Sequence, residues 1–126
     1  MTSLQGWALL KIPTKGKMTS QNIKETCEGL GYSPMCYRND DHTYTDDKCV
    51  KPLKGDPIHQ LRQVSAAVCP ENKNPTYWWL CKPMYGICEY MANYASGSSQ
   101  CSNEAGGTSG DGKNMENKWS SCAFKL

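Results

Sequence analysis

The pattern of apolar and polar positions begins with a strand that is apolar on both sides. Residues 6–12 alternate so that Trp7 and Leu9 share one side, while three further apolar residues share the other. A strand that is buried on both faces belongs in the interior of a sheet, since a one-sided strand alternates apolar with polar residues. We therefore expect a central strand over residues 6–12, which Pro13 ends.

A short helix is predicted next, over residues 20–29. Ile23, Cys27 and Leu30 recur at the spacing of one helical face, and hydroxyl residues at the start can cap the first turn. Because Cys27 lies on the apolar stripe, we expect its disulfide to fasten this helix to the sheet.

A second helix is predicted over residues 57–68. Asp56 can cap it, Pro57 suits its first position, and apolar residues follow near helical spacing. A strand through residues 60–64 is the competing interpretation.

Between the two helices, residues 32–55 are rich in Pro, Asn, Asp and Gly, which indicates loops and short strand pieces.

The last third of the chain is predicted to hold two strands and a long loop. Residues 76–81 are of the types that strands favour, and Pro83 and Gly86 then bend the chain. Residues 96–114 are rich in Gly, Ser and Thr, which is typical of a flexible loop. Residues 118–124 close the chain as a final strand.

Composition predicts that covalent cross-links stabilise this fold. The 126 residues include one Phe and few aliphatic residues, so the hydrophobic core is thin, but they also include eight cysteines. None of the cysteines forms the close C-x-x-C pair that is typical of zinc sites. We expect four disulfides and therefore a secreted, extracellular protein. Their pairing is open, and they are formed by Cys27, Cys36, Cys49, Cys69, Cys81, Cys88, Cys101 and Cys122.

Length and charge narrow the classes of protein further. The length fits one domain over residues 1–126. The net charge is +2 with no basic stripe, which argues against nucleic acid as a partner. No segment approaches the roughly 20 apolar residues of a membrane span. No secretory signal precedes the first strand, so we expect a mature domain or a module of a longer chain.

Aromatic residues in the 77–94 segment are the first candidate site. Tyr outnumbers Phe seven to one, and Tyr and Trp are favoured where one part of the ring is buried and another contacts water. Such rings bind sugars and protein partners, so we predict that the aromatic residues of this segment bind a ligand. The alternative is that the cluster fills the core between disulfides. The predicted ligand-binding residues are Trp78, Tyr85, Tyr90 and Tyr94.

An acidic loop is the second candidate. Calcium takes roughly six to eight oxygen ligands, and Asp40, Asp41, Asp46 and Asp47 supply clustered carboxylates. The EF-hand spacing is absent, and the alternative is a solvated loop. No other cofactor is indicated.

Catalysis is the weakest of the function classes. The chain has two histidines, cysteines that are expected to be oxidised, and no G-x-S-x-G motif around its serines. A pair of carboxylates for glycoside cleavage has no local signature and stays open. We expect a protein that is not an enzyme.

The first third also resembles a cysteine-rich module that occurs, often in several copies, in secreted multidomain proteins of invertebrate animals. The resemblance implies an extracellular module without catalytic residues. The resemblance covers residues 6–36, and residues 59–69 and Cys122-Ala123 show a weaker similarity to the same module. It is carried by Gly6-Trp7, Leu9-Leu10-Lys11-Ile12-Pro13, Gly16, Met18-Thr19, Asn22-Ile23-Lys24, Thr26-Cys27-Glu28, Gly31 and Cys36.

The C-type-lectin-like domain is a more distant resemblance. A helix that carries Cys27, and a closing Trp119 followed by Cys122, are similar to that family. The W-I-G-L core motif and the E-P-N or Q-P-D triplet are missing, so the family's calcium-dependent sugar binding is not implied.

Together these observations predict an α+β domain in which one or two helices pack on a small antiparallel sheet and four disulfides lock it. The leading function is a secreted recognition or adhesion module for carbohydrate or an extracellular protein. The alternatives are a secreted effector, such as a toxin or antimicrobial protein, and a small secreted hydrolase.

Overall fold

The computed structural model describes residues 2–40, 44–55, 59–72, 78, 81–92, 97–102 and 110–126. Strands alternate with two helices along these ranges, and short 3-10 turns occupy Lys82–Met84 and Gly112–Asn114. The elements are β1 (Thr2–Leu4), β2 (Trp7–Pro13), α1 (Ser20–Gly29), β3 (Ser33–Pro34), α2 (Gln60–Val68), β4 (Ile87–Glu89), β5 (Gln100–Cys101), β6 (Gly110–Asp111) and β7 (Trp119–Lys125).

The strands form one sheet in the order β1-β2-β7-β4-β5-β6, and β3 also pairs with β7. The sheet was expected to be antiparallel, but it is mixed, because β4 runs parallel to β7 with Ile87 opposite Trp119. Parallel neighbours need a long connection that returns the chain to the same end of the sheet. The chain from Tyr90 to Lys118, which includes β5 and β6, provides that connection.

Each face of the sheet is covered by one helix. On one face, Leu9 and Ala123 pack with Leu61 and Val64 of α2 in a buried cluster. On the other face, Cys122 packs with residues of α1 in a second cluster. The expectation of a strand that is apolar on both sides and internal to the sheet is therefore confirmed for β2, which lies between β1 and β7. The α+β class with four disulfides is confirmed as well.

All eight cysteines are paired. The expectation for Cys27 is confirmed, because its disulfide joins α1 to the central strand β7. The other three bridges close short loops of the chain. The pairs are Cys27–Cys122, Cys36–Cys49, Cys69–Cys81 and Cys88–Cys101.

The two helices form where the sequence predicts them. The α1 helix has the predicted bounds, and its cap is Thr19, whose hydroxyl accepts from the Asn22 N–H at 3.2 Å. The α2 helix, and not the competing strand, occupies residues 60–68. Its predicted first residue, Pro57, lies outside the described residues.

The last third differs more from the predictions. The strand expected over residues 76–81 falls mostly outside the described residues, and Trp78 and Cys81, which are described, belong to no strand. The loop expected over residues 96–114 contains β5 and β6, which pair with each other. A disulfide directly across the β4–β5 pair, Cys88–Cys101, holds this segment against the sheet. Within the described ranges, no helix is long and apolar enough to cross a bilayer.

Candidate functional site

The predicted aromatic residues do not share one surface. Trp78 is 3% exposed and belongs to the cluster beneath α2, which is the core position considered as the alternative. Tyr90 is 7% exposed and packs in the cluster on the α1 side. Tyr85 is half-buried. Tyr94 lies outside the described residues.

The four aspartates of the predicted calcium site also have different surroundings. Asp40 forms an ion pair with Arg38, Oδ1 to Nε at 3.4 Å, and Asp47 is exposed. Asp41 lies outside the described residues. The part of the chain that the structure describes contains no group of three His, Cys, Asp or Glu side chains that could hold a metal ion. Calcium binding by the loop therefore stays a prediction.

Asp46 is held in place by two donors, one of which is a predicted ligand-binding residue. The Tyr90 hydroxyl donates to Asp46 Oδ2 at 3.0 Å, and the Lys48 N–H donates to Oδ1 at 2.9 Å. The pKa of Tyr90 is raised to about 12, first by burial and then by the hydrogen bond to the Asp46 carboxylate. Tyr90 is thus a neutral donor that fixes the orientation of Asp46.

Asp46 lines a groove that we call the Trp7 groove. Its volume is about 740 Å³. Trp7 of β2 lines it, and the polar segment that follows Tyr44 forms its polar wall. The described residues that line it are Trp7, Thr45, Asp46, Asp47, Cys49, Val50, Lys51 and Lys54.

The polar wall of the Trp7 groove is fixed to the sheet. The disulfide Cys36–Cys49 closes the loop, and Val50 exchanges backbone hydrogen bonds with the β3 region, to Pro34 O at 2.9 Å and from the Cys36 N–H at 2.8 Å. At the far end, Lys54 N donates to the side chain of Gln5 at 2.9 Å. A wall that is already ordered loses little conformational entropy when a ligand binds.

The Trp7 ring is positioned by a tight hairpin. Gln5 and Gly6 both have positive φ, 52° and 84°, and they form the two-residue loop between β1 and β2. Loops of this kind match the twist of the strands they join. Leu4 then lies opposite Trp7, and Trp7 both packs against the core and lines the groove.

A second groove, the Trp119 groove, lies at the other end of β2, where β2 pairs with β7. Pro13 pairs with Trp119 on the sheet face that also carries Trp7. The Lys11 ammonium lies 4.8 Å from the Trp119 ring centroid, a cation–π contact. The volume of this groove is about 560 Å³, and its described lining is Pro13, Thr14, Lys15, Asn117, Lys118 and Trp119.

The residue after Tyr85 contacts Trp119 through the backbone. The Trp119 N–H donates to the carbonyl of Gly86 at 3.0 Å. Of the predicted ligand-binding residues that the structure describes, Tyr90 is the one that is joined to a groove, through its hydrogen bond to Asp46.

A buried carboxyl lies between the sheet and α2. Glu89 of β4 is 1% exposed and accepts a hydrogen bond from the backbone of Leu61, in the first turn of α2. Burial raises the pKa of Glu89 well above its usual value, although Leu61 and Arg62 oppose the shift. The pKa of the neighbouring Tyr37 is raised to about 12, first by burial and then by Glu89. This carboxyl bridges two elements and lies within the protein interior.

The sequence pattern places Trp7 and Trp119 on strands and gives no indication of a site at either residue. Their local pattern gives no other signal, because both follow the alternation of a buried strand. Only the tertiary structure brings residues of the segment from Thr45 to Lys54 into the same groove as Trp7.

Comparisons with protein-family models, with curated proteins and with solved structures find no significant match to this chain. The resemblance of residues 6–36 to an invertebrate secreted module therefore stays a prediction.

Proposed function

We propose that this protein is a secreted, non-catalytic recognition module that binds a neutral carbohydrate in the Trp7 groove. The observation that carries the proposal is that Trp7 and an ordered polar wall line the same groove. Sugars present apolar ring faces and hydroxyl edges at once, so they need both kinds of surface in one groove.

The charges of the groove favour a ligand without net charge. Two carboxylates, Asp46 and Asp47, and two ammonium groups, Lys51 and Lys54, line it together with the Thr45 hydroxyl. Carboxylates accept from sugar hydroxyls and ammonium groups donate to them. Because the opposite charges are equal in number, a neutral polyol meets acceptors and donors without a dominant field.

Secretion is supported by the covalent structure. Four disulfides and the lack of a membrane-spanning helix in the described ranges fit an extracellular protein. The proposal that the module is non-catalytic is supported by the same bridges, because oxidised cysteines offer no thiolate nucleophile. Glu89, a carboxyl with a raised pKa, is buried away from both grooves.

The test is an array of neutral glycans probed with Trp7→Phe and Trp119→Phe. Both variants make the same ring change on the same face of the sheet, but in different grooves. We expect Trp7→Phe to weaken binding by about tenfold, from the apolar area it loses, and Trp119→Phe to bind as the wild type does. Equal binding by both variants, or the absence of any neutral glycan ligand, would overturn the proposal.

Tyr90→Phe tests the role of the ordered polar wall. It removes the hydroxyl that holds Asp46 and keeps the buried ring. We expect weaker glycan binding by this variant, with Tyr85→Phe as the matched control that retains full affinity. Unchanged affinity in Tyr90→Phe would show that the orientation of Asp46 does not contribute to recognition.

A further inference from the structure

The end of the polar wall is held by two glutamine side chains. Gln60, the first residue of α2, accepts from the Leu53 N–H at 3.0 Å and donates to the Leu53 carbonyl at 3.2 Å. Gln5, in the loop between β1 and β2, makes the same pair of contacts with Lys54. It accepts from the Lys54 N–H at 2.9 Å and donates to the Lys54 carbonyl at 3.5 Å, and we call these two contacts the Gln5 bridge.

The two pairs of hydrogen bonds differ in their access to water. Gln60 and Leu53 are both fully buried, so the loss of their bonds would leave polar groups in the core without a partner. The Gln5 bridge is exposed, and water can replace it when it breaks. The wall is therefore anchored at Leu53, whereas the connection at Lys54 can open and close at low cost.

The Gln5 bridge joins the two parts of the Trp7 groove. Trp7 begins β2 directly after the loop that contains Gln5, and Lys54 is the last residue of the segment that forms the polar wall. Trp7 and Lys54 both line the groove, whereas Gln5 is not among the described residues that line it. The separation of the wall from the Trp7 hairpin at this end therefore depends on a residue outside the groove.

Gln5 is not the residue that the hairpin alone would favour. Its φ of 52° lies in the left-handed region, where few residues other than Gly, Asn and Asp are found. Asn followed by Gly is the preferred pair for two-residue loops of this kind, and Gly6 already occupies the second position. Asn is shorter than Gln by one carbon–carbon bond, about 1.5 Å, so it would fall short of the Lys54 backbone. Departures from local preference that serve a distant contact are typical of functional sites.

We propose that Gln5 is a positioning residue of the Trp7 groove, and that glycan affinity depends on the bridge it makes to Lys54. This inference rests on the proposed function of the groove. While the bridge is formed, the wall and Trp7 are already arranged for a ligand, so binding orders little of the chain. When the bridge opens, the apparent affinity falls in proportion to the fraction of molecules in which the groove stays arranged.

Gln5→Asn separates positioning from stability. It removes the bridge and at the same time gives the loop its preferred sequence, so thermal denaturation should show a protein as stable as the wild type or more stable. Its affinity on the array of neutral glycans should fall about threefold to tenfold, the equivalent of one exposed hydrogen bond. Gln5→Glu keeps the length and the acceptor for the Lys54 N–H, and it should recover most of the affinity.

The matched control is Gln21→Asn, the same shortening at an exposed glutamine of α1 whose amide donates to Glu25. It should bind the glycans as the wild type does. Full affinity in Gln5→Asn, equal losses in Gln5→Asn and Gln5→Glu, or a loss of affinity that accompanies a loss of stability would overturn the positioning role. If the wild type itself binds no neutral glycan, the proposed function fails and this inference fails with it, so the two failures are distinguishable.

A measurement without ligand tests the bridge itself. Hydrogen exchange of the Lys54 amide, followed by NMR, should be about threefold to tenfold faster in Gln5→Asn than in the wild type. The Val50 amide, which donates to Pro34 O in the same wall, should exchange at the same rate in both proteins. An unchanged rate at Lys54, or an equal acceleration at Val50, would overturn the proposal.

Discussion

At the scale of the residue, Glu89 is the most informative side chain. It is buried between β4 and the first turn of α2, where the side chain of His59, the residue at the cap position, does not cap the helix. Glu89 accepts from the Leu61 backbone instead, so a strand residue caps the helix. Burial destabilises the charged form of Glu89 more than the Leu61 hydrogen bond and the charge of Arg62 stabilise it. The pKa of Glu89 is therefore raised.

The raised pKa has a defined effect on stability. In the pH range above the usual value of about 4.5, folded Glu89 keeps its proton while the unfolded chain releases it. The folded state then binds more protons than the unfolded state, so the free energy of unfolding decreases as pH rises. The contribution of the neutral carboxyl is complete below about pH 4.5 and is lost as pH rises through the folded value.

Glu89→Gln should remove this dependence. Gln keeps the shape and the acceptor but carries no charge, so the variant and the wild type should have similar stability at pH 4. Above that pH the variant should become the more stable protein, with a difference that grows by at most about 1.4 kcal/mol per pH unit. Urea denaturation at intervals from pH 4 to pH 7 measures the two curves.

The control for this comparison is Glu71→Gln, because Glu71 is an exposed carboxylate. Its stability should follow the wild type across the same pH range. Parallel curves for the wild type and Glu89→Gln would contradict the assignment.

At the scale of the element, the 3-10 turn Gly112–Asn114 packs unusually close to its neighbours. The Gly112 N–H donates to Ser99 O at 2.8 Å, and its carbonyl accepts from the Met18 N–H at 3.2 Å. A Cβ on Gly112 would collide with the Met18 carbonyl and the Ser99 hydroxyl. Glycine at this position lets the turn pack between the start of α1 and the β5 segment.

Gly112→Ala should therefore destabilise the protein by about 1–3 kcal/mol, the usual cost of overpacking. The matched control is Gly29→Ala at the end of α1, where a Cβ meets nothing within 4 Å. There the substitution should stabilise by about 0.5–1 kcal/mol, through the lower entropy of the unfolded chain. Thermal denaturation distinguishes the two, and equal effects would show that the close approach is relaxed at little cost.

At the scale of the whole molecule, one disulfide differs from the other three. Cys27–Cys122 joins residues 95 apart in sequence, whereas the other bridges span 12 or 13 residues. A longer closed loop removes more entropy from the unfolded chain. The long bridge also crosses from α1 to the central strand of the sheet, and both of its residues are fully buried.

Replacement of Cys27 and Cys122 by Ala should cost about 4–5 kcal/mol, and replacement of Cys69 and Cys81 by Ala about 3 kcal/mol. Urea denaturation of the two double variants under oxidising conditions provides the comparison. A larger loss from the Cys69–Cys81 pair would mean that local strain or residual structure, and not loop length, decides how much each bridge contributes.

The sequence by itself determined the features that depend on neighbouring residues. The two-sided apolar pattern of β2, the bounds of α1 with a hydroxyl residue as its cap, and the helical pattern of α2 all follow from local spacing. The need for four disulfides follows from the scarcity of aliphatic residues. These features reflect backbone geometry and composition, which act over a few residues or over the chain as a whole.

Only the tertiary structure decided how distant segments meet. The spacing of cysteines does not encode their pairing, and the parallel contact of β4 with β7 depends on the path of the chain after Tyr90. The same holds for both grooves. Trp7 and Trp119 have the pattern of strand residues. Trp7 becomes part of a groove because residues 45–54, far away in sequence, pack beside it. Trp119 becomes part of a groove because residues 13–15, also far away in sequence, pack beside it. Such contacts depend on long-range packing, which local patterns do not specify.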